Sequence, residues 1–155
     1  MSDELRVPKR RAQVEVLMPG GKALPVTVFL AEFASTHAGA ERVSDLLNAA
    51  EGEFIASVDS TSDALTFLNR QNVAAARVSL EWEGEEELEG AEAHEVEIAL
   101  ADGTLLKGRV RYLLPPERSR LNDYLNDPQP FVRLSHGDQV TLVNKRHIAR
   151  VTKVK

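Results

Sequence analysis

An internal repeat constrains this chain of 155 residues more than any other feature of its sequence. Four blocks of similar residues recur in the same order, at offsets of 82, 78, 77 and 75: 14–28 with 96–110, 42–48 with 120–126, 54–55 with 131–132, and 67–74 with 142–149. Because the order is kept while the offset only falls, the second copy differs by shorter loops. A repeat of this kind builds one supersecondary unit twice. We therefore predict two related units, residues 14–78 and 96–155.

The second unit shows the repeated pattern most clearly. Residues 96–100 alternate apolar with polar or small side chains, which is the period of a half-buried strand, and Asp102-Gly103 is typical of a hairpin turn. Gly108 falls in the return strand, at a point where a strand bends or another backbone approaches. Residues 121–125 carry apolar side chains at helical spacing. The pattern predicts two strands, one short helix and three further strands in each unit.

The length of each unit bears on how the units pack. A short unit of consecutive hairpins usually closes into a small barrel, because closure removes exposed strand edges. A unit of about 60 residues is only marginally stable alone, so burying one unit against the other extends the core. We therefore expect one body, with a pseudo-twofold relation between its two barrels.

Two stretches of the second unit resemble the motifs of the Sm family. VEIALADGTLLKGRVRY is similar to the first Sm motif, with Gly103 in its turn and Gly108 in its second strand. VTLVNKRHIARV is similar to the second, bacterial-type motif, with Lys145 at the lysine of its Lys-His pair and Arg146 in place of the histidine. The units also resemble uncharacterised bacterial small-barrel domains. The predicted fold class is mainly β with one short helix per unit, as two tandem small Sm-like or SH3-like β-barrels related by internal duplication.

Charge divides the chain into four segments. Residues 1–13 form a basic N-terminal arm of net charge +2, and the first unit, 14–78, carries −4. Residues 79–95 hold eight glutamates and no base, for a net charge of −8, and the second unit, 96–155, carries +5. Like charges repel, so we predict an extended or mobile acidic linker at 79–95. The alternative is an acidic strip that folds over the basic second unit and mimics nucleic acid.

Several classes of function lack the residues that they need. The chain has no cysteine, which excludes disulfides, thiolate zinc sites and cysteine nucleophiles. It has neither a phosphate-binding loop nor a dinucleotide fingerprint, and its four histidines lack metal-ligand spacing. We predict no catalytic, cofactor or metal site, and therefore no enzyme. An apolar run long enough to cross a membrane and a signal peptide are both lacking, so the expected location is the cytoplasm.

Basic residues are concentrated between positions 109 and 150 of the second unit. Arg109 and Arg111 alternate onto one strand face, and pairs of fixed guanidinium groups are suited to phosphate or carboxylate recognition. The candidate residues for binding an anion or a partner are Arg109, Arg111, Arg118, Arg120, Lys145 and Arg146. Few aromatic side chains accompany them, whereas single-stranded nucleic acids are normally bound by stacking.

These observations favour a non-enzymatic adaptor or regulatory module that binds a protein partner. No cofactor and no membrane are expected. The alternative is an Sm-like protein that binds RNA or another nucleic acid through the basic face of the second unit. Edge strands of small barrels also pair with other chains, which allows a homo-oligomer.

Overall fold

A computed structural model of the chain describes residues 9–34, 37, 39–49, 52–84 and 90–154. Ten antiparallel strands form one sheet with three short α-helices across these ranges, so the prediction of a mainly β fold is confirmed. The elements are β1 Lys9–Met18, β2 Lys22–Ala31, α1 Val43–Asn48, β3 Phe54–Asp59, β4 Leu65–Asn69, β5 Ala75–Ser79, α2 Leu80–Glu83, β6 Glu92–Leu100, β7 Leu105–Tyr112, α3 Leu121–Leu125, β8 Phe131–His136, β9 Gln139–Asn144 and β10 Ile148–Lys153.

The repeat is present in the backbone pairing as well as in the sequence. Strands β1–β5 and helix α1 form a first half, and β6–β10 and α3 form a second half with the same order of elements. Three cross-strand pairs of the first half recur in the second half at the sequence offsets of 82, 77 and 75. The pair Val14–Val26 corresponds to Val96–Gly108, Phe54–Asn69 corresponds to Phe131–Asn144, and Glu15–Arg77 corresponds to Glu97–Thr152. The same hydrogen-bond register is therefore built twice.

The two halves join through strands that are not equivalent. The sheet runs β10-β6-β7-β8-β9-β5-β1-β2-β3-β4, so β9, the fourth strand of its half, pairs with β5, the fifth strand of the other. A twofold axis would also pair β4 with β10, but these are the outer strands of the sheet. The predicted pseudo-twofold relation is therefore wrong. The contact is head to tail, because it uses a different surface of each half.

Each half contributes to the core of the other. One hydrophobic cluster lies mainly in the first half and includes Phe131, Val140 and Leu142 of the second. The other cluster lies mainly in the second half and includes Leu17 and Ala75 of the first. Strands β5 and β9 are buried on both faces as a result. Because either half alone would lose part of its core, the two halves are tested together in the full chain.

The ends of the predicted acidic linker, 79–95, belong to secondary structure. Residues Leu80–Glu83 form α2, and the last four residues of the predicted linker begin β6. Trp82 packs against the first cluster, and the Glu83 carboxylate is completely buried in an ion pair with Arg133. Apolar burial and ion pairing outweigh charge repulsion here, so these ends are not an extended linker. Residues 85–89, the centre of the predicted mobile stretch, lie outside the described residues.

The predicted basic arm, 1–13, also continues into the sheet. Strand β1 begins at Lys9 and pairs along its length with β2, while residues 1–8 lie outside the described ranges. The Arg10 guanidinium donates a hydrogen bond to the carbonyl of Glu41 at 2.7 Å. Within the described ranges no helix is long and apolar enough to cross a membrane.

The aspartates that recur at equivalent positions cap the helices. Asp45 accepts a hydrogen bond from the backbone N–H of Arg42 at 2.8 Å, and Asp123 accepts one from that of Arg120 at 3.1 Å. Each aspartate thus satisfies a backbone donor at the start of its helix. The recurrence of these two residues has a structural cause within each half.

Asn48 differs from its equivalent, Asn126, because it connects the two halves. Its Oδ1 accepts a hydrogen bond from the backbone N–H of Phe131 at 2.9 Å. Replacing Asn48 with alanine should leave that buried donor unsatisfied and lower the free energy of unfolding by about 1–2 kcal/mol. Urea denaturation measures the change. The matched variant Asn126→Ala, at an exposed helix end, should change stability by about 0.5 kcal/mol or less, and equal losses would contradict the prediction.

Candidate functional site

An open groove of about 470 Å³ lies over strands β7 and β8 in the second half. Three arginines line it, together with one carboxylate and the last two residues of β8: Arg109, Arg111, Arg133, Glu95, Ser135 and His136. We call this the arginine groove. Its guanidinium groups come from two neighbouring strands, so their spacing is set by the sheet.

Strand β7 presents two of the three arginines. Its residues are alternately exposed and buried, which puts Arg109 and Arg111 on the exposed face while Val110 points into the core. Arg109 lies opposite Ser135 on β8. The alternation that the sequence indicated therefore brings both side chains to the same groove.

The third arginine, Arg133, is fixed by a buried carboxylate. Its Nη1 donates to Glu83 Oε2 at 2.5 Å, and its side chain keeps 13% of its exposure. Glu83 also accepts hydrogen bonds from the backbone N–H and the hydroxyl of Ser44, at 2.8 and 2.7 Å. Burial raises the pKa of Glu83, while the bonds from Ser44 and the charge of Arg133 oppose that rise. All three contacts are donors, so the geometry suits the carboxylate, and Arg133 is held in one orientation.

The other two arginines differ in how they are paired. Arg109 Nε donates to Glu95 Oε1 at 2.8 Å in an exposed ion pair, which contributes little to stability. Arg111 makes no hydrogen bond or ion pair to any described residue. Among the described residues, the groove therefore offers one guanidinium without a hydrogen-bonding or ionic partner, Arg111, beside two that are held by carboxylates. This arrangement can bind an anionic group.

The remaining four candidate residues lie elsewhere. Arg118 is exposed in the turn Pro116–Arg118, and Arg120 pairs with Asp123 at 3.3 Å where it precedes α3. Lys145 donates to the carbonyl of Asp127, and burial lowers its pKa. Arg146 lines a separate cavity of about 390 Å³ beside Phe131. The structure thus brings together only Arg109 and Arg111 of the six predicted residues.

Arg133 and Glu83 are the functional residues that the sequence did not single out as a site. Arg133 belongs to the basic run of the second unit, but Glu83 is 50 positions away in the acidic segment. No spacing rule connects two residues so far apart in the chain. Only the packing of α2 beside β9 brings the carboxylate to β8.

The groove has no phenylalanine, tyrosine or tryptophan side chain among its described lining residues. The Tyr112 ring of β7 is buried, its hydroxyl donates to the carbonyl of Ser119 at 2.9 Å, and it stacks on Tyr124 with 4.7 Å between ring centroids. Among the described residues, no group of three or more side chains is placed to hold a metal ion. The chemistry that the lining supports is charge-assisted hydrogen bonding to anions.

No family model, no curated protein and no solved structure matches the chain.

Proposed function

We propose that the protein is a non-enzymatic interaction module, an adaptor or regulatory protein, whose arginine groove binds an acidic segment of a protein partner. The observation that carries this proposal is the convergence of Arg109, Arg111 and Arg133 on one open groove. Guanidinium groups bind carboxylates in a bidentate manner. Because Arg133 is already held by Glu83, little side-chain entropy is lost when a ligand binds beside it.

The charge of the surroundings favours a peptide with a few carboxylates over a polyanion. The whole chain carries a net charge of −5, and Glu95 and Glu92 lie on the strand beside β7. A continuous phosphate backbone would meet these carboxylates along its length, whereas a short acidic segment can place its charges on the arginines alone. Nucleic acid remains the alternative ligand of the same groove, in keeping with the Sm-like resemblance of the second half.

The proposal includes a finer description of the fold. We propose that each half is a small SH3-like or Sm-like barrel, because each has five antiparallel strands in the same order and its own hydrophobic cluster. Such barrels often present grooves to peptides and nucleic acids without catalytic chemistry. A cytoplasmic location accompanies this proposal and agrees with the absence of cysteine.

The test compares two defined probes on the full chain by fluorescence anisotropy. One is a labelled peptide rich in glutamate and aspartate, and the other is a labelled single-stranded RNA of the same length. The double variant Arg109→Ala/Arg111→Ala should bind the peptide at least about tenfold more weakly, a loss of about 1.4 kcal/mol. The matched control Arg118→Ala/Arg146→Ala removes the same charge outside the groove and should bind as the wild type does.

The outcomes distinguish the two ligands. Peptide binding that is lost only in the groove variant supports the proposal. RNA binding that falls steeply with salt and is lost in the same variant would assign the groove to nucleic acid, because neutralised phosphates release counterions. Equal losses in both double variants would show a nonspecific charge effect, and the groove would not be the site.

A further inference from the structure

The outer strands of the sheet are the equivalents of the two strands that join the halves. Within the chain, β9 pairs with β5. By the repeat, β4 is equivalent to β9 and β10 is equivalent to β5, and β4 and β10 are the two ends of the sheet that the described residues form. One chain therefore contains one such joint, the pairing of β9 with β5. The two strands equivalent to those of the joint, β4 and β10, lie at opposite ends of its sheet.

The outer face of the β3–β4 hairpin is apolar and exposed, and we call it the apolar edge patch. Its members and their exposed fractions are Phe54 at 58%, Leu65 at 63% and Phe67 at 60%. Their equivalents in the β8–β9 hairpin have exposed fractions of 3%, 0% and 1%: Phe131, Val140 and Leu142. The second set is buried because it packs into the core of the first half. The equivalent surface of the second half is therefore covered by protein, whereas the apolar edge patch of the first half is exposed.

The side of the second half that would receive such a patch is incompletely covered. In the first half, Val43 of α1 and Val73 are buried in the cluster that Phe131 completes. Their equivalents at offsets of 78 and 75 are Leu121 of α3 and Ile148 of β10, and both are only partly buried. The core of the first half is therefore fully buried at these positions. The equivalent part of the second half is partly exposed, next to β10 at the end of the sheet.

The side-chain amide of one asparagine in each half also differs in this way between the internal joint and the end of the sheet. The buried Asn144 uses its Nδ2 to donate to the carbonyls of Gln71 and Val73 across the joint, at 3.2 and 3.0 Å. Its equivalent on β4, Asn69, accepts a hydrogen bond from the N–H of Gln71 at 3.0 Å, but its Nδ2 donates to none of the described residues. At the offset of 75, the equivalents of Gln71 and Val73 are Arg146 and Ile148, which lie just before and at the start of β10.

We propose that copies of this chain associate head to tail, with β4 of one copy paired to β10 of the next and the apolar edge patch packed against α3 and β10. This goes beyond the proposed function and uses a surface distinct from the arginine groove. The joint is heterologous, so repetition gives a closed ring or an open filament rather than an isologous dimer. Each added contact repeats the β9–β5 joint that the chain already contains.

The repeat also predicts the register of the new joint. Within the chain, Leu142 lies opposite Ala76 and Thr141 opposite Arg77. Shifted by the offset of 75, these pairs become Phe67 opposite Val151 and Thr66 opposite Thr152. Lys153 would then come opposite Leu65, close to the acidic turn that holds Asp63, so the charges at this end are of opposite sign.

Sedimentation velocity on the full chain tests the association. The wild type should form dimers and larger species at tens of micromolar, and Phe67→Glu should raise the dissociation constant at least tenfold, because it places a charge in the apolar contact. The matched control Leu105→Glu alters another exposed apolar residue of a strand and should associate as the wild type does. Circular dichroism checks that both variants fold. A wild type that stays monomeric up to about 100 µM, or equal effects of both variants, would overturn the proposal.

Cysteine cross-linking tests the register and the head-to-tail character, and the chain has no cysteine of its own to interfere. Thr66→Cys and Thr152→Cys are prepared separately, mixed and oxidised. Residues that face each other across paired strands lie within disulfide range, so the mixture should give a covalent dimer containing one chain of each variant. Cross-linking of Thr66→Cys with itself, or no mixed product in an associating sample, would overturn the proposal.

Discussion

Replacing Glu83 with alanine is expected to lower the free energy of unfolding by about 3–5 kcal/mol, the largest effect that we predict for any single substitution in this chain. The carboxylate is completely buried and accepts hydrogen bonds from Arg133 and from both donors of Ser44. Its removal leaves the charge of Arg133 without its carboxylate partner, although the Arg133 side chain is only 13% exposed. Equilibrium urea or thermal unfolding of the full chain measures the loss.

Two variants separate this effect from a general loss of charge. Glu81→Ala removes an exposed carboxylate from the same helix and should change stability by about 0.5 kcal/mol or less. The double variant Glu83→Leu/Arg133→Met replaces both charges with apolar side chains and should recover part of the loss, because no charge is left unpaired while the two donors of Ser44 still lose their acceptor. A loss below about 1 kcal/mol in Glu83→Ala would show that the pair is not a structural link between the halves.

The second large effect is expected at Gly108, where Gly108→Ala should lower the free energy of unfolding by about 1–3 kcal/mol. A Cβ at this position would lie 2.7 Å from Leu134 Cγ and 2.7 Å from the carbonyl oxygen of Ser135. The backbone of β8 must then move away from β7, where Arg109 opposite Ser135 is the pairing that holds the two strands together. Gly108 is therefore a position of close backbone approach, as its place in the strand predicted.

The control for Gly108→Ala lies next to it in the chain. Lys107→Ala alters an exposed side chain of the same strand, whose distance to Glu97 is 3.7 Å, and should change stability by about 0.5 kcal/mol or less. Because Gly108 and Arg109 both line the arginine groove, Gly108→Ala should also weaken peptide binding. Unchanged stability in Gly108→Ala would mean that the two strands separate at no cost, which contradicts the close approach.

Features that depend on neighbouring residues could be predicted from the sequence. The alternation of β7 places Arg109 and Arg111 on one face, and Asp102-Gly103 forms the turn before that strand. The offsets of the repeat reappear in the strand pairing, because the same local pattern selects the same hairpin in each half. These features have a period or a turn chemistry that a short window of residues contains.

The joint between the halves was decided only by the tertiary structure. The sequence shows that β4 and β9 are equivalent, but not which of them meets β5, and the apolar residues of both hairpins look alike. Phe131 is buried and Phe54 exposed because one hairpin lies against the other half and its equivalent lies at the end of the sheet. The ion pair between Glu83 and Arg133 has the same origin, since segments 50 residues apart meet only when the chain is packed. Local periodicity thus determined the units, and the burial of apolar surface between distant segments determined how they are joined.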